Sequence, residues 1–372
     1  MFSMKQATLY KKITPKTVQC LACRHYCTIA ESKVGICGVR QNIDGELFLL
    51  VYGNAASVNL DPIEKKPLFH FLPGSQIFSL GTIGCNFGCK FCQNWDISQA
   101  GKELKIKLTK ANKLANLDAE IGKNGYRLMP SEIVDYCVKN NIPSIAYTYN
   151  EPSIFFEYTY DTARLAKKAG LKNVYVSNGY ASTEAVDEMT GLLDAINIDL
   201  KGFTEEFYSN VCQAKLKPVL ESIKYYHDKK IWIELTTLII PGKNDSDTEL
   251  KNIAEFIAGI SVDIPWHISK FHPMYKMQDS KSTPDDTINR AYDIGKKAGL
   301  NYVYAGNIYG KKLQSTYCVK CNNVLVERDW GTVQIRGLKN GKCVKCNTEV
   351  PGIFSSFPRK REPNVIPAKT GI

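Results

Sequence analysis

The chain has 372 residues, a formal net charge of +11, 44% hydrophobic residues and 23% charged residues, which suits a globular protein with a substantial core and excludes a disordered chain. No apolar run reaches the ~20 residues of a membrane span, and the first thirty residues lack the apolar stretch of a secretory signal, so a cytoplasmic location is expected. The positive excess, concentrated in Lys102 to Lys113 and in Arg359-Lys360-Arg361, is compatible with an anionic partner such as RNA and equally with solvated loops.

Thirteen cysteines are present, and eleven fall in three clusters, a pattern that points to metal rather than disulfides where no export signal is seen. Residues 1–74 form the first unit, a Cys-rich N-terminal region and lead-in. Cys20-x2-Cys23-x3-Cys27-x9-Cys37 is a ligand set for zinc or for a second Fe–S cluster, and spacing does not choose between them. His25, inside this loop, reads as a surface or supporting residue. Glu46 to Ser57 reads as a hairpin or strand pair. Asp61 to Gly74 carries Pro62, Pro67 and Pro73 and cannot be a continuous helix; it is expected as a loop whose Lys65, Lys66 and His70 either approach the substrate or form a basic surface.

Residues 75–312 carry the main repeat. Ile77 to Leu80 is a short buried strand, and Gly81 to Gly84 a turn leading to Cys85, Cys89 and Cys92. This C-x3-C-x2-C spacing holds three corners of a [4Fe–4S] cluster and leaves one iron free for a small molecule. The polar stretch from Ser98 to Arg127 is expected as a lid or insertion. From Pro130 onward, helices alternate with strands at 144–148, 173–176, 195–199, 231–239 and 266–271, with a possible last strand at 302–304. Counting the cluster strand, six main strands and a possible seventh predict an open (β/α)6 partial TIM-type barrel with right-handed crossovers. Reactive groups belong at the C-terminal strand ends. Those ends carry Tyr149-Asn150-Glu151, Ser177-Asn178-Gly179, Asp199-Leu200-Lys201, Pro241 to Asp245, and Phe271-His272-Pro273. His272 is the candidate for any proton transfer. The isolated Cys137 and Cys212 read as small core residues.

In residues 313–354, Cys318-x2-Cys321-x21-Cys343-x2-Cys346 brackets β-rich sequence and predicts a zinc-ribbon-like module. Asn322 and Asn347 suit left-handed turns. Residues 355–372 read as a loose tail.

The cluster loop, with Phe91 before its last cysteine, resembles the radical S-adenosylmethionine (SAM) superfamily. The runs Asp61-Pro62-Ile63-Glu64-Lys65-Lys66-Pro67-Leu68-Phe69-His70-Phe71, Cys92-Gln93-Asn94-Trp95 and Tyr149-Asn150-Glu151-Pro152, with the Cys-rich tail, resemble the pyruvate-formate-lyase-activase-like branch and the radical SAM enzyme of the AmmeMemoRadiSam system. The resemblance implies that Cys85, Cys89 and Cys92 bind a catalytic [4Fe–4S] cluster. It implies SAM contacts at Phe91, Asn94, Asn150, Glu151, Ser177, Asn178, Asp199 and Lys201, with Glu151 on the SAM amine. In the superfamily two glycines stand where Tyr149 and Asn150 stand here. The implied activity is reductive cleavage of SAM to a 5′-deoxyadenosyl radical that abstracts hydrogen from a macromolecule, as the activase-like branch does from protein. An RNA substrate, or a non-enzymatic Fe–S or zinc protein that binds nucleic acid, is the alternative. Implied partners are a ferredoxin- or flavodoxin-type electron donor and Memo-like and AMMECR1-like proteins.

Overall fold

A computed structural model describes residues 4–306, 311–329 and 331–354, so the tail expected from 355 lies outside the described residues. Its centre is an eight-stranded sheet in which strands lie in chain order. The order begins with β1 (Ser57–Pro62) and β2 (Gln76–Gly81), and continues through α1 (Pro130–Lys139), β3 (Ser144–Tyr147), α2 (Phe156–Lys168) and β4 (Lys172–Ser177). It goes on with α3 (Thr183–Met189), β5 (Ala195–Asp199), α4 (Leu216–Asp228) and β6 (Trp232–Ile239), and ends with α5 (Asp247–Ile260), β7 (Trp266–Lys270), α6 (Asp285–Lys297) and β8 (Val303–Gly306). Strands β2 to β8 pair in parallel and β1 is antiparallel to β2. The seventh parallel strand is therefore present, as β8. The sheet is open, with β1 and β8 at its edges, and it curls enough for Asn59 of β1 and Ser269 of β7 to line one cavity.

Local sequence explains the repeat. Every residue of β3 is buried, as expected where helices cover a parallel sheet. Helix α1 buries Ile133, Val134 and Cys137 on one face, and Ser182 and Ser246 cap α3 and α5 by accepting the Ala185 and Glu249 amides.

Alternation along the strands then sorts side chains into levels. Ile77, Ala146, Val174, Ala195 and Trp232 form an apolar floor with Leu68, Phe71 and Leu72. Above it, Asn197 accepts from Thr236 and donates to the Pro67 carbonyl. Val176, Asp199, Leu238 and Ser269 stand above these, against the cavity.

The segment after β1 is not the site loop expected for all of its residues. Lys65 and Lys66 face the cavity, but His70 descends to the bottom of the barrel. There the Glu234 carboxylate accepts from the Phe69 and His70 amides, Trp232 Nε1 and His267 Nε2. His70 bridges the Pro351 carbonyl and the Tyr304 hydroxyl at 2.7 and 2.6 Å. The prolines break the helix, and the apolar residues between them fill the barrel end.

Two further expectations are made specific. The hairpin is formed by Arg40–Ile43 and Glu46–Leu49, and Ser57 belongs to β1. Residues 98–127 contain the helices Ala100–Lys110 and Leu117–Gly122, with Tyr126–Arg127 paired to Asn54–Ala55, so they are a packed insertion. Helix α3 stops at Met189, before the left-handed Gly191. At the other end, Val324–Asp329 and Thr332–Ile335 make the expected antiparallel hairpin between the C-terminal cysteine pairs.

Candidate active site

The cluster loop leaves β2 at the C-terminal edge of the sheet. Asn150 fastens this exit to that of β3: its amide donates to Thr82 Oγ1 and the Gly84 carbonyl, and its oxygen accepts the Thr82 amide. The loop then lies along a turn at Tyr208–Cys212, where the Gly88 and Lys90 amides donate to the Cys212 and Val211 carbonyls. Cys85 and Cys89 are buried and Cys92 is partly so. Cys212 is buried, as expected of a core residue, but it faces Cys89: its thiol and the burial of the site raise the Cys89 pKa well above the usual range. Burial also pushes Cys85 and Cys92 up. Such thiols become thiolates when a bound cation compensates the charge.

A cavity of about 610 Å3 opens over these cysteines, in the size range of small-molecule sites. Phe91, Asn94, Asn150, Ser177, Asn178, Asp199 and Lys201 all line it. Asn94 donates to the Tyr149 carbonyl at 2.8 Å. Asn178 donates to Asn86 Oδ1 at 2.7 Å and faces Cys85 Sγ at 3.9 Å, tying the β4 exit to the cluster loop. Lys201 reaches Asp199 at 2.8 Å and lies over the Phe91 ring. Burial works against the Lys201 charge, but Asp199 and the Cys89 and Cys212 sulfurs outweigh it and hold the pKa well above that of an ordinary lysine.

Glu151 is placed differently. It is 1% exposed, and its carboxylate accepts the Ser153 amide, the Ser177 hydroxyl and the Asn178 amide. These bonds join the turns after β3 and β4. Its neighbour Tyr149 takes a φ of +69°, a left-handed conformation natural to glycine. The residue that replaces glycine thus keeps the glycine-like backbone, at a cost of about 1–2 kcal/mol. His272 is exposed, and its nearest polar partner is the Ser282 hydroxyl at 3.5 Å.

One wall was not anticipated as a unit. Lys66 is buried, lies 2.8 Å from Asp61, and covers the Tyr149 ring; the Tyr149 hydroxyl donates to Asp61 and accepts from Asn59. The signal was the inverted pattern of β1, which points Asn59 and Asp61 inward and leaves Leu60 43% exposed.

The C-terminal cysteines make a compact group. Cys318 and Cys346 lie 3.5 Å apart, Cys321 and Cys343 3.7 Å, and all four sulfurs fall within 4.8 Å of one another. A tetrahedral zinc with bonds of about 2.3 Å sets sulfurs about 3.8 Å apart, so the group fits zinc. Hydrogen bonds from Thr348, its hydroxyl first, push the Cys346 thiol down to about 6. Asn322 and Asn347 are left-handed, at φ +55° and +57°.

Fold and site together define an α/β enzyme core with a three-cysteine cluster loop over a polar cavity. The Radical SAM superfamily model matches residues 80–257. An uncharacterized protein of Methanocaldococcus jannaschii is 39% identical over 93% of this chain and 99% of its own length. A putative glycyl-radical enzyme activating enzyme of the same organism is 26% identical over 60% of this chain and 78% of its own. The pyruvate formate-lyase 1-activating enzyme of Escherichia coli (strain K12) is 24% identical over 59% and 89% respectively. The chain belongs to the radical SAM superfamily, with distant similarity to glycyl-radical activating enzymes. Its cofactors are accordingly a [4Fe–4S] cluster and SAM.

The residues present fit that pair. Two buried thiols and a partly buried one share one loop, and beside them Asn86 Nδ2 is buried without a hydrogen-bond partner among the described residues. Among the described residues, no helix is long and apolar enough to cross a membrane.

Proposed function

We propose that Cys85, Cys89 and Cys92 hold the cluster and that Asn94, Asn150, Asn178, Asp199 and Lys201 bind SAM above it, so that a hydrogen atom is removed from a segment of a partner protein. When bound, the cluster and SAM supply one-electron reductive cleavage of the SAM sulfonium. The observation that carries this reading is that the cluster loop and the exits of β3, β4 and β5 line a single cavity.

The chain's own work is orientation and exclusion of water. Lys201 offers a cation to the SAM carboxylate, and Asp199 keeps it charged and aimed. Phe91 packs beneath Lys201. Asn178 holds the cluster loop at its first cysteine, and Glu151 positions Asn178 through the backbone amide. Cys85, Cys89 and Cys92 would hold the cluster with one protein ligand fewer than a closed four-cysteine site provides, which would leave it able to take SAM.

Similarity to activating enzymes supports a protein substrate. Memo-like and AMMECR1-like proteins are the partners we propose from the resemblance, with a ferredoxin- or flavodoxin-type donor supplying the electron. Anaerobic reconstitution with iron and sulfide, followed by SAM and dithionite, tests the core of this reading. Wild type is expected to form 5′-deoxyadenosine, and Cys89→Ala to form at least about a hundredfold less. Equal yields would refute the assignment. Salt-sensitive RNA binding, with no response of the yield to a partner protein, would move the substrate to RNA.

A further inference from the structure

The helix Ala100–Lys110 starts against the cluster loop. The Ser98 hydroxyl, just before it, is 3.2 Å from Cys92 Sγ, and a Cβ on Gly101 would stand 3.3 Å from Gly84 Cα. Lys102 donates to the Phe87 carbonyl at 2.6 Å, and Lys105 to the Gly35 carbonyl at 3.1 Å. At a rise of about 1.5 Å per residue, Lys107 and Lys110 follow about 10 and 15 Å along the axis from Ala100.

One face of this helix is exposed at Glu103, Ile106, Lys107 and Lys110, which lie three and four residues apart, while the opposite face buries Gly101 and Leu108. The exposed face is cationic with an apolar centre. Ile106 is 54% exposed between Lys105 and Lys107, and Lys113 is exposed just beyond the helix end. Residues 100–113 hold five lysines and one carboxylate, Glu103. Lys102 and Lys105 bond carbonyls, which leave their charge uncompensated, and Lys107, Lys110 and Lys113 make no ion pair among the described residues. A helix face that is merely solvated alternates its charges, and this one does not.

We infer that this face docks the acidic one-electron donor protein that reduces the cluster, an inference that rests on the cluster being held at Cys85, Cys89 and Cys92. Among the described residues, none of 100–113 lines the 610 Å3 cavity, so a protein seated on the helix leaves SAM and substrate their space. It nevertheless stands against the loop that carries the cluster ligands. Ferredoxins and flavodoxins present acidic surfaces, which match the lysines in charge, and Ile106 supplies an apolar contact among them. The helix has no aromatic residue on which an RNA base could stack, and a second copy of this basic chain would be repelled. The transfer moves one electron: the donor is oxidised by one, the cluster is reduced by one, and no bond is made or broken.

Calorimetry with the full reconstituted chain, using oxidised flavodoxin and separately a [2Fe–2S] ferredoxin, measures docking whether or not SAM is cleaved. Wild type that binds neither would overturn the inference. Lys107→Glu, Lys110→Glu and Lys113→Glu together are expected to weaken binding at low salt by at least about tenfold and to remove most of its salt dependence. Should that variant not fold, Gln at the same three positions is expected to weaken binding at least about threefold. Lys139→Glu, Lys168→Glu and Lys297→Glu, exposed at the C-terminal ends of α1, α2 and α6, change the net charge as much as the first set and are expected to weaken binding less than about threefold. Equal loss in the two Glu sets, or loss in neither, would overturn the inference. The ratio of flavodoxin-driven to dithionite-driven cluster reduction should also fall about tenfold in the first set. An unchanged ratio with lost RNA binding would overturn the inference in favour of RNA. Dithionite needs no docking site, so failure of dithionite-driven SAM cleavage strikes the proposed function and failure of donor binding strikes this inference.

Discussion

At the scale of single residues, the difference between Glu151 and Asp199 is the most informative. Both are carboxylates at strand exits, but Glu151 is spent on protein amides and a hydroxyl, whereas Asp199 is 36% exposed at its side chain and lines the cavity. Glu151→Gln replaces an acceptor oxygen by a donor among groups that donate, at a cost of about 1–3 kcal/mol. It is expected to lower Tm by a few degrees and, by freeing Asn178, to weaken SAM binding in parallel. Asp199→Asn leaves the Lys201 charge less compensated and is expected to weaken SAM binding strongly, out of proportion to a smaller fall in Tm. Calorimetry with SAM and thermal melts separate the two, and a Glu151→Gln variant that loses SAM at unaltered Tm would place Glu151 on the ligand. The position of Glu151 was legible in its sequence context, but its orientation was not. It depends on Ser177 and Asn178, twenty-six and twenty-seven residues away, meeting it across the β3–β4 pair.

At the scale of elements, the parallel strands and their helices were legible because covered strands read as apolar runs and helices as periodic ones. β1 was not, since a strand that turns polar groups toward a cavity reverses the usual signal. The segment 63–72 was misread in part for a related reason: proline and lysine announce a loop, but Leu68, Phe71 and Leu72 make this one a plug. Its His70 is neutral, with burial pushing its pKa from 6.5 down to about 4. Between those values the unfolded chain takes up a proton that the folded one refuses. The stabilisation is therefore complete above pH 6.5 and is lost as the pH falls toward 4. The full contribution is about 3 kcal/mol, of which about 2 kcal/mol should be gone at pH 5 relative to pH 7. Burial raises the Glu234 pKa, but bonds led by that from His267 bring it below that of an ordinary glutamate, so acid weakens the plug through this group too. Urea unfolding at pH 7 and pH 5 should show the loss, and His70→Gln should flatten the dependence between them. An equal slope in the variant would mean that another group carries it.

At the scale of the whole molecule, the three cysteine sets sit on different parts of the barrel. The N-terminal set backs the cluster loop and the C-terminal set braces the opposite end. The ribbon reaches the plug directly: the Leu72 amide donates to the Ile353 carbonyl, the Ile353 amide to the His70 carbonyl, and Arg328 lies over the Phe69 ring while donating to its carbonyl. The four-cysteine group thus bears on the floor beneath the cavity and not on the cavity itself. Cys346, 3.5 Å from Cys318 and 3.1 Å from the Thr348 hydroxyl, is the ligand to remove. Cys346→Ser is expected to reduce zinc from about one to near zero per chain and to lower Tm. Amide exchange should accelerate at Leu72 and Ile353, the two groups that join ribbon to plug. The amides of Gly88 and Lys90, bonded across the cluster loop, should keep their protection, because the parallel sheet stands between the two ends. Unaltered exchange at Leu72 and Ile353 would show that the ribbon hangs on the barrel without supporting it, and faster exchange at Gly88 and Lys90 would show that the zinc site holds the cavity as well as the floor.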